Sequence, residues 1–302
     1  MKMKLFLLPV TMLFAVVSPS EAQTESPFDS VQQIKEVVIS TTRIPEMKSN
    51  AAASVTIIDH NQIAAMAKIA PDMSKLLGLL TPGMALSSNT TSSRSQSLRG
   101  RSALILIDGI PQSTPLRSTD RDIRTIDVSA IDHIEVVKGS TALYGNGAIG
   151  GLINIITKKD VTGKSIAGQT SLSGSTYNFF RQKRGQGYRL NQQLYGTVGK
   201  FDYLVNGAFG RTGSSIDGSG QFISPRYGLG DTYTTNALVK LGYALSPKNR
   251  LEFMYNFYRS LQDTKLIPSA GKYLQKPAIG ILGNKDPQAV DEGTRYNHNS
   301  YL

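Results

Sequence analysis

The sequence predicts an α/β domain followed by the first strands of a transmembrane antiparallel β-barrel. Residues 36–160 mix short β-branched runs with two capped helical segments. After Asp160 the helical signals stop, and apolar residues alternate with polar ones. The alternating segments are joined by short and long connections in turn, which is typical of outer-membrane barrels. A soluble antiparallel sandwich is the alternative, and the regular short–long alternation together with the absence of cysteine disfavours it.

The first half of the α/β domain contains clear start and stop signals. The run Ser54–Ile58 predicts a strand. Asp59 is an N-cap candidate, and Gln62, three residues later, completes a capping box, so a weak helix is expected to about Lys68. Pro71 opens a second helix, which runs through Leu80.

The second half is predicted to alternate strands with tight turns. Strands are expected over residues 104–107, 133–137 and 152–158. The dipeptide Asp108-Gly109 after the first of them indicates a tight turn. Residues 128–131 are expected to be helical, and a single helical turn is expected to end at Tyr144.

The remainder of the chain predicts five strands and the beginning of a sixth. Four of the strands show strict alternation of apolar residues, and residues 166–174 form a weaker one. A sixth strand is expected to begin at Tyr301. The apolar faces of the four clear strands consist of Leu190, Leu194, Gly196 and Val198; of Phe201, Tyr203, Val205, Gly207 and Phe209; of Ala237, Val239, Leu241, Tyr243 and Leu245; and of Leu251, Phe253, Tyr255 and Phe257.

The N-terminus indicates export. Lys2 and Lys4 precede an apolar core, and small residues precede a cut after Ala22, which is the pattern of a secretory signal peptide. The formal net charge of +11 is scattered, without a Lys/Arg run and without the interleaved aromatic residues of a single-strand nucleic-acid binder, so no nucleic-acid partner is expected. The three histidines have no metal-ligand spacing, and no metal site is predicted.

A glycine cluster has the spacing of a dinucleotide-binding loop. Gly145, Gly147 and Gly150 form G-x-G-x-x-G, which in nucleotide enzymes requires a following helix and an acidic residue about 20 positions on. Here a β-branched run follows, and the next acidic residue after Asp160 is Asp202. We therefore expect a tight chain reversal rather than a cofactor site, and we expect no enzyme activity.

A series of short motifs carries a family resemblance. Each is weak alone, but their order and spacing together resemble the TonB-dependent outer-membrane receptors, and within them the ferric aerobactin receptor subgroup. The motifs are Glu36-Val37-Val38-Ile39-Ser40, Pro82-Gly83-Met84, Leu98-Arg99-Gly100, Leu106-Ile107-Asp108-Gly109-Ile110-Pro111, Ile134-Glu135-Val136-Val137-Lys138-Gly139, and the stretch from Leu143-Tyr144-Gly145 through Gly150-Gly151-Leu152-Ile153-Asn154-Ile155.

The resemblance implies an α/β plug domain inside a transmembrane antiparallel β-barrel of 22 strands. About six strands are expected here, so the chain is expected to be the N-terminal part of a longer protein. The implied divisions are a signal peptide (1–22), a periplasmic lead-in with the TonB box (23–44), the plug domain (45–160) and an incomplete barrel (161–302).

The resemblance also implies a function: import of a ferric siderophore, of hydroxamate or citrate-hydroxamate type, across the outer membrane of a Gram-negative bacterium. The expected partners are the TonB energy-transducing protein, the ferric siderophore and outer-membrane lipids. No cofactor is expected, because iron arrives as a ferric chelate. The alternatives are a receptor for haem, cobalamin or a glycan, or a truncated remnant that does not transport.

Three groups of site residues follow from the resemblance. The extended, β-branched TonB box would bind TonB by strand addition, the alternative being that these residues are the first strand of the plug. Polar residues of two loops would bind the ligand, with arginines suited to carboxylates. Two basic residues would lock the plug to barrel carboxylates, since a buried charge needs a partner. The groups are Glu36, Val37, Val38, Ile39 and Ser40 for TonB; Arg94, Ser95, Gln112, Ser113, Arg117 and Arg121 for the ligand; and Arg99 and Lys138 for locking.

Overall fold

The structure is a computed structural model that describes residues 38–39, 46–47, 54–87, 96–112, 123–140, 147–159, 164–176, 183–224, 230–283 and 295–301. All of these residues belong to one compact unit, Val37–Leu302. The expected signal peptide and the helical turn ending at Tyr144 lie outside the described residues, so both stay predictions.

The α/β domain is built on a five-stranded mixed sheet. Its strand order is β3-β6-β7-β4-β5, with β4 and β7 parallel and the other neighbours antiparallel. A separate two-stranded ladder, β1-β2, precedes it. The elements are β1 Val38–Ile39, β2 Glu46–Met47, β3 Ser54–Ile58, α1 His60–Ala67, α2 Met73–Leu80, β4 Ala103–Ile107, β5 Ile110–Pro111, a 3₁₀ turn Val128–Ala130, β6 Ile131–Lys138 and β7 Gly151–Thr157.

Both helices begin at aspartate caps. The side chain of Asp59 accepts from the backbone N–H of Gln62, and the side chain of Gln62 accepts from the backbone N–H of Asp59, which confirms the predicted capping box. Asp72 caps α2 by accepting from the Lys75 N–H. The second helix thus begins two residues after Pro71, because the cap is Asp72 and the proline lies before it.

The core of the α/β domain is aliphatic and lies between the sheet and the two helices. Ile105, Ile134 and Ile153, from three neighbouring strands, are completely buried, and Leu76 and Leu77 of α2 pack into the same cluster. The continuous burial of β4 explains why its sequence is apolar without alternation: a central strand covered on both faces needs no polar side.

The rest of the described chain forms an antiparallel meander that we call the wall sheet. Its strand order is β15-β12-β11-β10-β9-β8. The strands are β8 Ala167–Thr176, β9 Gln186–Val198, β10 Phe201–Thr212, β11 Thr232–Ala244, β12 Arg250–Gln262 and β15 Arg295–Tyr301, and a hairpin of β13 Leu266–Ser269 and β14 Ile279–Leu282 lies between the last two in sequence.

In each of the strands β9 to β12, one face is more exposed and largely apolar, and the other is buried and carries most of the polar side chains. In β10, Val205 and Phe209 are about 40% exposed, whereas Leu204 and Asn206 are buried against the α/β domain. In β9, Leu190 is likewise exposed while Gln193 is 1% exposed. This alternation, apolar outside and polar inside, confirms the face assignment made from the sequence and is that of a lipid-facing barrel wall.

The sixth strand differs from its prediction. It runs over Arg295–Tyr301 and pairs with β12, so it begins six residues before Tyr301. Its sequence, RYNHNSY, has no apolar alternation, and a periodicity argument therefore could not detect it. The preceding connection, predicted as a loop, contains the β13–β14 hairpin.

The described part of the glycine cluster is a chain reversal between strands. Gly147 has φ of +117°, and a Cβ at Gly150 would lie 2.7 Å from the Arg101 carbonyl oxygen and 2.8 Å from that of Leu98. The strand β7 follows at once. Without a helix N-terminus after the glycines, the segment has no dipole to hold a pyrophosphate. Gly145 lies outside the described residues.

Candidate functional site

A cleft of about 400 Å³ lies between the α/β domain and the wall sheet. On the wall side its lining comes from β8 to β12, at the ends of these strands that carry the long connections. On the domain side it is lined by the segment that joins α1 to α2 and by residues 124–127. A pocket of this volume, open between two elements, is large enough for a small-molecule ligand.

The charged residues lining the cleft are predominantly basic. Among the described lining residues five are cationic and two are anionic, a balance that favours anions. Lys68 is exposed and Lys75 is half-buried, whereas Arg124 contacts the Asp72 carboxylate at 3.0 Å. The charged residues described in the lining are Lys68, Lys75, Arg124, Arg189 and Arg211, with Asp72 and Asp127 as the acids.

Residues 124–129, which we call the clasp segment, hold the α/β domain to the wall sheet. The carbonyl oxygen of Thr125 accepts from Asn236 Nδ2 at 2.6 Å and from Asn256 Nδ2 at 2.8 Å. The carbonyl of Ser129 accepts from Gln193 Nε2, and its hydroxyl oxygen lies 3.1 Å from Asn206 Oδ1. The four partner side chains are buried and belong to four neighbouring strands, β9 to β12.

The clasp segment also makes an ion pair with the wall. Arg189 Nη2 of β9 lies 2.5 Å from Asp127 Oδ1, and the side chains are 21% and 12% exposed. Asp127 also accepts from the backbone N–H and the hydroxyl of Ser129, as the cap of the short 3₁₀ turn. Both charged residues line the cleft, so this pair lies where a ligand would enter.

A second ionic contact joins the α/β domain to the wall nearer the short connections. Lys240 Nζ of β11 lies 2.7 Å from Asp108 Oδ2 and 3.1 Å from Glu252 Oε1. It also donates to Thr157 Oγ1 at 2.9 Å. Alternation alone placed Lys240 on the inner face of its strand, but its partner across the interface carries no sequence signal.

Most of the predicted ligand-binding residues fall outside the described chain. These are Arg94, Ser95, Ser113, Arg117 and Arg121. Gln112 is described: it is half-buried beside β5, where its backbone N–H donates to the Ile105 carbonyl and its Nε2 to the Ile110 carbonyl. The ligand role of all six stays a prediction.

The predicted locking residues lie in a tight turn before β4 and at the end of β6. Arg99 is exposed, has φ of +53°, and donates its backbone N–H to the Gly83 carbonyl. Lys138 ends β6 and is half-buried. The acids expected to lock them were placed beyond residue 302, so the locking role remains a proposal.

The predicted TonB box is described at two positions. Val38 and Ile39 form β1, which pairs with Met47 and Glu46 of β2. Glu36, Val37 and Ser40 lie outside the described residues. A TonB box and a first plug strand would both be extended, so the role of residues 36–40 toward TonB stays a prediction.

Other kinds of site find little support in the described residues. Among them, no group of three or more His, Cys, Asp or Glu side chains could hold a metal ion. The α-helices of the described chain, α1 and α2, have eight residues each, and neither is long and apolar enough to cross a membrane.

An α/β domain attached to the inner, polar face of an antiparallel wall is the arrangement of a plug domain in an outer-membrane receptor. Residues 47–152 match the family model described as "TonB-dependent Receptor Plug Domain". The chain therefore carries a TonB-dependent receptor plug domain followed by barrel strands, which confirms the resemblance seen in the motifs.

The chain is similar to receptors for ferric siderophores. It is 31% identical over 254 residues to the rhizobactin receptor of Rhizobium meliloti, a match that covers 78% of this chain and 32% of that protein. It is 34% identical over 122 residues to the ferric aerobactin receptor of Klebsiella pneumoniae, covering 40% and 16%. The chain thus spans about a third of the rhizobactin receptor.

A solved structure shares the fold. The crystal structure of a ferric enterobactin receptor matches with a TM-score of 0.51 and 25% identity, covering 70% of this chain and 34% of that one. The similarity extends beyond the plug domain into the wall sheet, because the 70% covered exceeds the share of the chain in residues 47–152.

Proposed function

We propose that the protein is a TonB-dependent outer-membrane receptor that imports a ferric siderophore into a Gram-negative bacterium. The plug domain and the named relatives support the siderophore receptor class. The import activity is that of the whole receptor, of which residues 1–22, 23–44, 45–160 and 161–302 are proposed to be the signal peptide, the lead-in, the plug and the first part of the barrel.

The wall sheet supports the location. Its exposed face is apolar, with Leu194, Val198 and Val205 each at least 39% exposed, which suits contact with the hydrocarbon of outer-membrane lipids. Strand pairing satisfies the backbone polar groups within the sheet, as a membrane-spanning segment requires.

The observation that carries the ligand proposal is the basic cleft at the end of the wall with the long connections. An anionic ferric chelate of hydroxamate or citrate-hydroxamate type fits its excess of cations. Arginine binds carboxylates in a bidentate manner, and Arg189 and Arg211 reach the cleft from the wall. Arg94, Arg117 and Arg121 of the loops before residues 96 and 123 are proposed to add to the same field.

The proposed partner on the periplasmic side is TonB. An extended segment such as Val38–Ile39 offers backbone groups for strand addition. The protein acts as a receptor rather than as an enzyme, and it needs no cofactor, because the iron enters as a complete chelate.

The test is growth and iron uptake by the natural gene product. We would express it in a Gram-negative host that lacks its own siderophore receptors and supply, in separate iron-depleted cultures, a ferric citrate-hydroxamate, a ferric catecholate and haem. Growth on the ferric citrate-hydroxamate alone is the expected result. Growth on haem alone, or on none of the three, would contradict the proposal.

A paired variant tests the role of the cleft. Lys68→Gln combined with Lys75→Gln is expected to weaken chelate binding about tenfold, or about 0.7 kcal/mol per cation, because each loses one favourable charge interaction. The matched control is Lys200→Gln combined with Lys248→Gln, two exposed cations in the short connections. Equal chelate affinity of the two double variants would show that the cations of the cleft do not bind the chelate.

A further inference from the structure

The ion pair between Arg189 and Asp127 connects the two parts of the molecule inside the cleft. Arg189 belongs to the wall and Asp127 to the α/β domain, and both side chains are partly accessible from the cleft. Among the described residues Asp127 is the one ionic partner of Arg189. A ligand that carries a carboxylate would therefore meet an arginine whose charge is already engaged by the plug.

If the ion pair opens, Asp127 and Arg189 differ in the polar partners that remain to them. Asp127 keeps two hydrogen bonds from Ser129 within its own domain. Arg189, in contrast, would regain a carboxylate partner from the ligand, so its charge would remain paired. An exchange of one carboxylate for another has a small net cost, because Arg189 stays paired with an anion before and after it.

The contacts that Thr125 and Ser129 of the clasp segment make with the wall are neutral hydrogen bonds. They run from amide side chains of the wall to the carbonyls of Thr125 and Ser129. Charge-assisted hydrogen bonds are roughly twice as strong as neutral ones. Opening the Arg189–Asp127 pair thus removes a link stronger than these.

Two buried amide side chains beside the clasp segment each have one atom without a hydrogen-bond partner among the described residues. Within the described residues, Asn206 Nδ2 and Asn236 Oδ1 are buried without a hydrogen-bond partner. Buried polar groups are nearly always paired, so these two atoms leave a spare donor and a spare acceptor beside the clasp segment.

We propose that an anionic ligand in the cleft takes Arg189 from Asp127 and thereby loosens the clasp segment from the wall. This inference rests on the proposed function, since it assumes that the cleft receives an anionic ferric chelate. It assigns Arg189 as a ligand-binding residue and Asp127 as its internal competitor. Ligand binding in the cleft would thus change the plug through the loss of the Arg189–Asp127 ion pair.

The test compares two variants that break the same pair from opposite sides. The affinity of the purified full-length receptor would be measured calorimetrically for an anionic ferric citrate-hydroxamate and for a neutral ferric trihydroxamate. Asp127→Asn keeps a capping side chain but frees Arg189, so it is expected to tighten binding of the anionic chelate about tenfold. Arg189→Gln is expected to weaken it by a similar factor, and neither variant should change binding of the neutral chelate.

The control is a matched Asp–Arg pair outside the cleft. Asp202 contacts Arg250 Nη2 at 2.6 Å, near the short connections, so Asp202→Asn should leave both affinities unchanged. If Asp127→Asn and Arg189→Gln shift affinity in the same direction, or shift the neutral chelate equally, competition for Arg189 is refuted while the receptor function stands. If the unmodified receptor binds neither chelate, the proposed function fails, and this inference fails with it.

The loosening itself is measured by hydrogen exchange. In the unmodified receptor, the anionic chelate is expected to increase exchange of backbone amides in residues 124–130, because the segment is less tightly held. The neutral chelate should not increase it, and Arg189→Gln should show no further increase on adding either one. An unchanged exchange rate in the unmodified receptor with the anionic chelate bound would overturn the proposed loosening.

Discussion

Lys240 Nζ lies 2.7 Å from Asp108 Oδ2, which makes a buried ionic contact between the wall and the turn after β4. Only 4% of the Lys240 side chain is exposed, and Asp108 is 13% exposed. Asp108 has φ of +48° and also accepts from the backbone N–H and hydroxyl of Thr157. Asp108 is thus held in an uncommon backbone conformation by Thr157 of β7 and by Lys240 of the wall sheet.

Replacing Lys240 by methionine is therefore expected to destabilise the protein. Two carboxylates, Asp108 and Glu252, would lose a shared cation, and breaking a buried ion pair from one side costs about 3–5 kcal/mol. Thermal unfolding in detergent, followed by circular dichroism, would show a lowered midpoint. The control is Arg250→Met, whose side chain is 43% exposed and whose ion pairs are expected to contribute below about 1 kcal/mol. Equal midpoints for the two variants would contradict the role of Lys240.

The glycine reversal gives a second prediction. Gly150→Ala places a Cβ within 2.7 Å of the Arg101 carbonyl oxygen, and two backbone segments must separate to admit it. We expect a loss of about 1–3 kcal/mol, the cost of overpacking. Gly207→Ala, in the exposed face of β10 with no atom within 4 Å of the new Cβ, should be neutral or slightly stabilising. Comparable unfolding midpoints for the two variants would refute the close approach.

Much of the fold follows from local sequence signals. The capping box at Asp59, the strand Ser54–Ile58 and the alternation of β10 are determined by neighbouring residues, and all three agree with the structure. The position of β15 could not be predicted, because its polar residues give no period and it is specified by pairing with β12.

The candidate site was less accessible to sequence reasoning. The motifs pointed to loop arginines and to Arg99 and Lys138, whereas the described interface contains Asp127 with Arg189 and Asp108 with Lys240. These pairs join residues 62 and 132 positions apart. Such contacts depend on how the two sheets face each other, and a single sequence contains no local signal for that.

The protonation of His133 is expected to make the stability of the folded protein vary with pH between about 6.5 and 9. Hydrogen bonds to Asp132 and then to Glu135 raise the pKa of His133 from 6.5 to about 9, although burial opposes the shift. A raised pKa in the folded state means that this stabilisation is fully present below about pH 6.5 and is lost as the pH rises to about 9.

We expect His133→Gln to reduce stability by about 1 kcal/mol at pH 6 and to have little effect at pH 10, since the side chain is partly solvated. Unfolding midpoints measured across this range would show the difference between the two proteins declining with pH. Asp132→Asn removes the larger cause of the shift, so it should move the decline toward lower pH. A difference that stays constant from pH 6 to pH 10 would argue against the assignment.

A substitution at Val38 can test the proposed TonB box separately from the ligand site. Proline at position 38 removes a backbone N–H, so the segment could no longer pair fully with an added strand. Val38→Pro in the full-length receptor is expected to abolish TonB-dependent iron uptake while leaving chelate binding to the cells unchanged, because the described lining of the cleft begins at Ala67. Val38→Ala keeps the N–H and should retain most of the uptake. Normal uptake by the proline variant would remove residues 36–40 from the contact with TonB, whereas loss of both binding and uptake would indicate a defect of the whole plug rather than of the box.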